Sequence, residues 1–189
     1  MRSCNLLIVT LGICQIGCGG GVKNQLSREA APADAAAGAI QTYDKDSDGQ
    51  ISSEELRVAP ALAAGAMRID SNQDGMLSKD ELQARFEAYA NQSDLIALAV
   101  SVAAKRRPLP DATVTLTPEP YMGDGLQSYT GVTTEGGACH LQGTEIPLQG
   151  LLPVGFYQAH IVQPELGIDT VVGCEIADDA SGSRLQLSL

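Results

Sequence analysis

Apolar residues in the first half of the chain recur with the spacing of α-helices. The recurrence covers four segments, which we predict to be helical: Ala35–Tyr43, Glu54–Ala59, Ala61–Ile69 and Lys79–Ala90. Pro60 is predicted to end the second helix, because proline cannot donate a hydrogen bond to the preceding turn. In the last segment Leu82, Phe86 and Tyr89 share one face. Residues 35–92 are therefore predicted to form one helical domain.

From about Asp94 the apolar period shortens to two residues, which is typical of strands. Seven short runs alternate in this way between Gly- or Pro-containing turns: Leu95–Ala104, Ala112–Pro118, Ser128–Thr133, Ala138–Gln142, Phe156–Gln163, Ile168–Ile176 and Arg184–Leu189. Such a succession favours an antiparallel β-sandwich over residues 94–189. In the final run Leu185, Leu187 and Leu189 are expected to face inwards. The predicted fold class is α+β, with a sandwich that has its own core and is indifferent to metal.

Residues 1–17 have the pattern of an export signal. Arg2 gives a positive start, and the apolar run Asn5–Ile16 is shorter than the roughly 20 residues that span a bilayer. The run ends at Gly17-Cys18, which is similar to the lipobox of bacterial lipoproteins, where the cysteine is diacylated and becomes the first residue. Gln15 departs from that motif, in which an aliphatic residue is usual.

We predict lipidation at Cys18, which places the protein in the cell envelope, anchored to a bacterial membrane. Cys14 is less suitable because the branched Ile13 precedes it. Ordinary secretion without a lipid is the alternative. Residues 18–34 are rich in Gly, Ala, Pro and polar side chains without apolar periodicity, so we predict that they form a flexible tether.

Two acidic segments carry the most specific chemistry in the chain. Each places oxygen-bearing groups at the first, third, fifth, seventh, ninth and twelfth positions of a loop. The predicted ligands are Asp44, Asp46, Asp48, Gln50, Ser52 and Glu55 in the first loop and Asp70, Asn72, Asp74, Met76, Ser78 and Glu81 in the second. Ca²⁺ is a hard cation that takes about six to eight oxygens. The spacing therefore predicts two EF-hand loops that bind two calcium ions.

Further details of the loops agree with this interpretation. Gly49 and Gly75 stand at the sharp turn, where a Cβ would clash. Ile51 and Leu77 occupy the positions at which paired loops join as a two-stranded ribbon. The first loop has four acidic ligands and the second has three, so we expect the first site to bind calcium more tightly.

Several segments outside the loops add a resemblance. They are Ile69–Gly75 with Asp80-Glu81-Leu82, Pro108–Leu116, Gly131–Gly137 and Pro153–Tyr157. Together they resemble a group of bacterial lipoproteins that join an EF-hand pair to a small transthyretin-like (carboxypeptidase-regulatory-like) β-sandwich. The resemblance implies a prealbumin-like sandwich and calcium. It implies no peptidase activity, because that sandwich is an accessory domain of zinc carboxypeptidases.

The remaining candidate residues favour a protein without catalytic activity. A zinc site needs clustered ligands, whereas the two histidines, His140 and His160, are predicted on the polar faces of their strands. No nucleophile motif accompanies them. Cys139 and Cys174 are both predicted to face inwards, and either a disulfide or two free buried thiols would satisfy that placement.

Charge narrows the range of partners. The net charge is −11 and both halves are acidic, so nucleic acid is a poor partner. The basic run Lys105-Arg106-Arg107 predicts an exposed hairpin turn, with binding of a partner's carboxylates as the alternative. We expect any partner to be an envelope protein or a glycan. The alternative function is a calcium-dependent adhesion or carbohydrate-binding module, for which Tyr121 and Tyr129 are the candidate aromatic residues.

Overall fold

A computed structural model describes residues 33–89, 91–92, 95–144, 150–181 and 184–189. The predicted export signal, the lipidation site Cys18 and all but the last two residues of the predicted tether lie outside the described residues. Within the described ranges, no helix is both long enough and apolar enough to cross a membrane.

The helical part of the structure comprises residues 35–89. Its helices are α1 (Ala35–Tyr43), α2 (Pro60–Ile69) and α3 (Lys79–Tyr89), and its two short strands are β1 (Gln50–Ile51) and β2 (Leu77–Ser78). The prediction of an α-helix over 54–59 is wrong, because these residues form only a four-residue 3₁₀ helix, Glu55–Val58. Pro60 begins α2 instead, since its fixed φ suits the first helical position and no N–H is needed there.

The β-part of the structure comprises residues 95–189. Its strands are β3 (Leu95–Ala97), β4 (Ala99–Ala104), β5 (Arg107–Pro108), β6 (Thr113–Pro118), β7 (Tyr129–Val132), β8 (Ala138–Cys139), β9 (Gln142–Gly143), β10 (Leu151–Pro153), β11 (Gly155–Gln163), β12 (Ile168–Ile176) and β13 (Arg184–Ser188). One sheet has five strands in the order β12-β11-β6-β7-β9. A second has the order β13-β4-β5, with β8 also paired to β4, and β10 pairs with β3 as a separate ribbon.

Most strand pairs are antiparallel, as the short runs separated by turns predicted, but β13 is an exception. It runs parallel to β4, with Leu185 opposite Val100 and Leu187 opposite Val102. The expectation of a wholly antiparallel β-part is wrong for this pair. Alternation reports which face a side chain takes, and that face is the same whichever way the neighbouring strand runs.

The inward faces agree with the sequence. Tyr157, Ala159 and Ile161 of β11 are fully buried, and Leu185 and Leu187 of β13 are nearly so. The two sheets meet closely where β7 passes β8, since a Cβ on Gly131 would lie 2.7 Å from the Cys139 sulfur. Lys105 and Arg106 form the exposed turn between β4 and β5, with positive φ values of 48° and 64°, so the hairpin prediction is confirmed.

The helical part covers one end of the opposite face of the five-stranded sheet, at β12 and the start of β11. A Cβ on Gly173 of β12 would lie 1.9 Å from the backbone of Pro60, and a Cβ on Gly65 of α2 would lie 2.7 Å from the ring of Phe156. The buried apolar residues of both parts belong to one continuous cluster. The β-part thus shares its core with the helices, in contrast to the separate core that the sequence suggested.

The two cysteines of the β-part are free, buried thiols. Cys139 lies in β8 against β4, while Cys174 lies in β12 opposite Tyr157. Desolvation raises the pKa of Cys139 to about 11 and the pKa of Cys174 to about 12. Of the two alternatives that the sequence left open, the structure has the unbridged one.

Candidate metal centre

The first acidic loop follows α1 directly and folds back on itself. Ser47 and Gly49 have φ values of 64° and 89°, in the left-handed region that allows a tight turn. The curl brings one carboxylate oxygen each of Asp44, Asp46 and Asp48 within 4.8 Å of one another. The three side chains that the sequence places at the first, third and fifth positions therefore converge.

Backbone N–H groups hold these carboxylates in place. Ser47 N–H donates to Asp44 Oδ1 at 2.6 Å, Gly49 N–H to Asp44 Oδ2 at 2.9 Å, and Gln50 N–H to Asp48 Oδ1 at 2.8 Å. Each bond uses one lone pair of a carboxylate and leaves others directed into the loop. The loop is thereby shaped by the same oxygens that a cation would need.

Glu55 closes the first loop from its far end. Its Oε1 accepts from Lys45 N–H at 2.6 Å, and its Oε2 accepts from the backbone N–H and the hydroxyl of Ser52, both at 2.8 Å. The N–H of Ser52, then the N–H of Lys45 and the hydroxyl of Ser52, lower the pKa of Glu55 to about 2. Glu55 is therefore held as a carboxylate across the neutral pH range.

Repulsion within the first loop is visible at its third position. The N–H of Asp48 lowers the pKa of Asp46, but desolvation and the charges of Asp48, Glu55 and Asp44 outweigh it, so the pKa of Asp46 is raised. Several anions held this close disfavour one another's ionisation. A bound cation would remove that repulsion.

The second loop repeats the arrangement between α2 and α3. Gln73 and Gly75 have φ values of 61° and 81°, matching the pair in the first loop. Asp70 Oδ2 accepts from Gly75 N–H at 3.0 Å, Asn72 Oδ1 accepts from Asp74 N–H at 2.9 Å, and the Asn72 amide donates to Asp74 Oδ2 at 2.9 Å. An amide here replaces one of the three converging carboxylates.

Glu81 closes the second loop as Glu55 closes the first. It accepts from the N–H and hydroxyl of Ser78 at 3.0 and 2.7 Å and from the N–H and hydroxyl of Ser71, each at 3.0 Å. Desolvation alone would raise the pKa of Glu81, but the donors from Ser78, Asn72 and Ser71 outweigh it and lower the pKa to about 2.

A short antiparallel ribbon joins the two loops. Gln50 pairs with Ser78 and Ile51 with Leu77, and the latter two side chains are almost completely buried. The ribbon places the main chain of Gln50 beside the second loop, and Met76 precedes it on the other strand. All twelve predicted ligand residues thus lie in two loops that are physically connected.

The donor set fits a hard cation. The two loops present carboxylate, amide, hydroxyl and main-chain oxygens without thiolate or imidazole groups. Calcium prefers this kind of oxygen set in a flexible geometry, whereas zinc prefers nitrogen and sulfur. His140 is exposed and His160 is bound to Asp169 at 2.7 Å on the outer surface, both in the β-part.

Beyond the loops, the structure contains a buried ionic cluster that the sequence did not reveal. The Glu175 carboxylate in β12 is fully buried and accepts from Arg85 Nε at 2.6 Å, Tyr89 Oη at 2.7 Å and Arg68 Nε at 2.8 Å. Arg85 also forms two hydrogen bonds of 2.7 Å with Asp179. We call these five residues the Glu175 cluster. A cavity of about 260 Å³ lies beside it, lined by Arg68, Cys174, Glu175 and Arg184 among others.

Comparison with known proteins identifies the acidic loops. A family model described as "EF hand" matches residues 37–58 and 67–86. No curated protein matches the chain. A crystal structure of (S)-allantoin synthase is similar over 86% of this chain and 68% of that chain, with 16% identity and a TM-score of 0.31, which is too low to bear on fold or activity. The two matched segments contain both acidic loops, so the helical part carries a pair of EF hands.

Proposed function

We propose that this protein binds two calcium ions, one in each EF-hand loop, and acts as a non-catalytic protein of the cell envelope. The observation that carries the proposal is the convergence of three carboxylates in the first loop, which a β-ribbon joins to a second loop of matching sequence and backbone. Each loop ends in a glutamate whose carboxylate accepts several hydrogen bonds, three at Glu55 and five at Glu81.

Each ligand has a distinct role in this proposal. The side-chain oxygens of the residues at the first, third, fifth and twelfth positions contact the ion, the main-chain oxygen at the seventh completes the set, and the serine at the ninth acts through a water. Bound calcium supplies the positive charge that offsets the repulsion felt by Asp46. Glu55 and Glu81 supply both carboxylate oxygens.

Calorimetric titration with calcium tests this proposal. Glu55→Gln and Glu81→Gln should each weaken their own site by roughly 100-fold, since each loses a bidentate carboxylate. Glu54→Gln is the matched control, because Glu54 neighbours Glu55 but is exposed and paired only with Arg57. The wild type should take up two ions. A wild type that releases or absorbs no heat with millimolar calcium would refute the proposal.

The envelope location rests on the lipobox-like residues Gly17-Cys18. We propose that the mature chain begins with a diacylated Cys18 and that residues 19–34 hold the folded part away from the membrane. Labelling of growing cells with a fatty-acid analogue should mark the wild type and leave Cys18→Ser unmarked. A soluble mature protein that begins after residue 18 would contradict the lipid anchor.

We assign the β-part a structural or interaction role. The adhesion alternative depended on exposed aromatic side chains, and Tyr121 and Tyr129 are 7% and 1% exposed. Neither is available to stack on a sugar ring. Nothing else on the described surface favours the adhesion alternative over support of the EF hands.

A further inference from the structure

The apolar face of the EF-hand pair is already filled by side chains of the β-part. The ring of Phe156 lies 6.0 Å from both Phe86 and Tyr89, and the ring of Tyr121 lies 5.9 Å from Phe86 and 6.3 Å from Tyr43. These separations are those of favourable aromatic pairs. All five rings are at most 8% exposed.

Small residues allow this contact to be close. A Cβ on Gly65 would lie 2.7 Å from Phe156 Cε1, and a Cβ on Gly38 would lie 3.1 Å from Tyr121 Cβ. One glycine lies in α2 and the other in α1, so both helices are shaped to the β-part. The contact has the complementarity of a protein core.

At the centre of the contact, both helices that flank the second loop reach the same buried carboxylate. Arg68 lies two residues before Asp70, the first position of the loop, while Arg85 lies four residues after Glu81, the last. Both bind Glu175, whose side chain is fully buried. Leaving such a charge without its partners is strongly unfavourable, so the two helices must keep a fixed relative position to satisfy it.

The first loop lacks an equivalent connection. It ends in the 3₁₀ helix Glu55–Val58, whose Arg57 pairs with Glu54 at a site where both side chains are 74% exposed. Its entering helix α1 reaches the β-part through Tyr43, which donates to Glu119 at 2.8 Å. Only one of its two flanking segments is therefore anchored to the β-part by a polar contact among the described residues.

We infer that the β-part is the built-in target of the EF-hand pair, and that the Glu175 cluster links calcium at the second loop to this contact. In EF-hand sensors, calcium changes the angle between helices and exposes an apolar groove to a separate partner. Here the groove is filled by the same chain. Calcium binding and the contact between the two parts therefore stabilise each other, and no separate helical peptide is recruited. This inference rests on the calcium binding proposed above.

Thermodynamic linkage between calcium binding and the contact of the two parts provides the test. If calcium strengthens the contact, loss of the contact must weaken calcium binding by the same factor. Glu175→Gln should lower the affinity of the second site, identified as the site removed by Glu81→Gln, by about 10-fold, and change the first site by less than about threefold. Glu135→Gln is the control, because Glu135 is exposed in the turn after β7. A folded Glu175→Gln protein with wild-type affinity at both sites would overturn the link.

A second variant covers the possibility that Glu175→Gln does not fold. Arg68 is one-third exposed, so Arg68→Lys keeps the positive charge while losing the paired donors to Glu175. It should weaken the second site in the same direction by a smaller factor, about threefold. Equal affinities in Arg68→Lys and the wild type would count against the link.

Hydrogen exchange of the full chain separates this inference from the proposed function. With calcium, exchange in β12 around Glu175 should be slower than with chelator by at least about 10-fold. In calcium, Glu81→Gln should show the fast exchange, and Glu55→Gln should not. Calcium heat without any change in β12 would refute the link alone, whereas a wild type without calcium heat would refute the proposed function.

Discussion

The two EF-hand loops differ in what surrounds them more than in their own shape. The first has four acidic ligands, three of them converging within 4.8 Å, and leads into a four-residue 3₁₀ helix. The second has three acidic ligands and lies between two complete helices, α2 and α3, both bound to Glu175. The first loop thus has more negative charge, whereas the helices that flank the second loop are bound to the β-part.

The site that binds calcium more tightly therefore need not be the site whose occupancy most affects the rest of the molecule. More ligand charge favours tighter binding at the first loop. Attachment to a buried carboxylate determines how far binding at the second loop affects the rest of the molecule.

The largest effect is expected from forcing α2 away from β12. In Gly173→Ala the new Cβ would lie 1.9 Å from the backbone of Pro60, which cannot move without shifting the whole start of α2. We expect a loss of about 3 kcal/mol or more in the free energy of unfolding. Urea denaturation followed by circular dichroism measures it.

Gly136→Ala is the matched control for this change. A Cβ there meets nothing closer than the Thr134 hydroxyl at 4.0 Å, so stability should stay within about 0.5 kcal/mol of wild type. Equal unfolding midpoints for Gly173→Ala and the wild type would show that the attachment of α2 is not as close as described.

A further negative charge in the second loop should bring its calcium affinity closer to that of the first. Asn72→Asp restores a third converging carboxylate in the second loop and removes the amide that donates to Asp74. We expect calcium affinity at this site to rise about 10-fold, because a neutral ligand becomes an anionic one. Asn91→Asp, an exposed change just after α3, should leave both affinities unchanged in calorimetry. An unchanged second site would mean that ligand charge does not set the order of affinities.

A smaller and opposite effect is expected at Tyr121. Its hydroxyl is buried and has no hydrogen-bond partner among the residues that the structure describes, which is unfavourable, so Tyr121→Phe should stabilise the protein by about 1 kcal/mol. Tyr89→Phe removes a hydroxyl that donates to Glu175 at 2.7 Å and should destabilise it by about 1–2 kcal/mol. Thermal unfolding of the two variants should therefore shift in opposite directions. A shift in the same direction would contradict these hydrogen-bond assignments.

The smallest effect concerns thiol reactivity. With a pKa of about 12, Cys174 has a thiolate fraction on the order of one in ten thousand at pH 8, so labelling in calcium should be very slow. Chelation should speed labelling of Cys174, whose strand β12 also carries Glu175, more than that of Cys139 in the opposite sheet. Peptide mass mapping distinguishes them from the N-terminal cysteines. Equal acceleration of both would indicate general loosening instead of a local change in β12.

Features that depend on neighbouring residues could be predicted from the sequence, whereas contacts between distant residues could not. The loops and the flanking α1, α2 and α3 were predicted because a 12-residue ligand pattern and helical periodicity are local. The burial of Glu175 against the helices was not predicted. Alternation along β12 places it opposite Cys174, on a face expected to meet solvent.

The reason is that periodicity assigns a residue to a face and says nothing about what covers that face. Arg68 and Arg85, which neutralise Glu175, are 107 and 90 residues away in sequence. Gly173, next to Cys174, is the one local sign that another backbone approaches this strand closely. Read together with two arginines flanking the second loop, it could have suggested the contact.

The parallel pairing of β13 with β4 constrains the order in which the chain can fold. β4 follows the EF hands almost directly, while β13 ends one residue before Leu189, so nearly the whole β-part lies between the two paired strands. During synthesis the EF hands can form early from local contacts, but the sheet that contains β4 cannot be completed until residues 184–188 are available. Phe86 and Tyr89 lack their partner ring until the chain has reached Phe156. Loss of residues 185–189 should therefore remove the parallel partner of β4 and lower the folding yield, and calcium present during refolding should stabilise the EF-hand helices in the meantime.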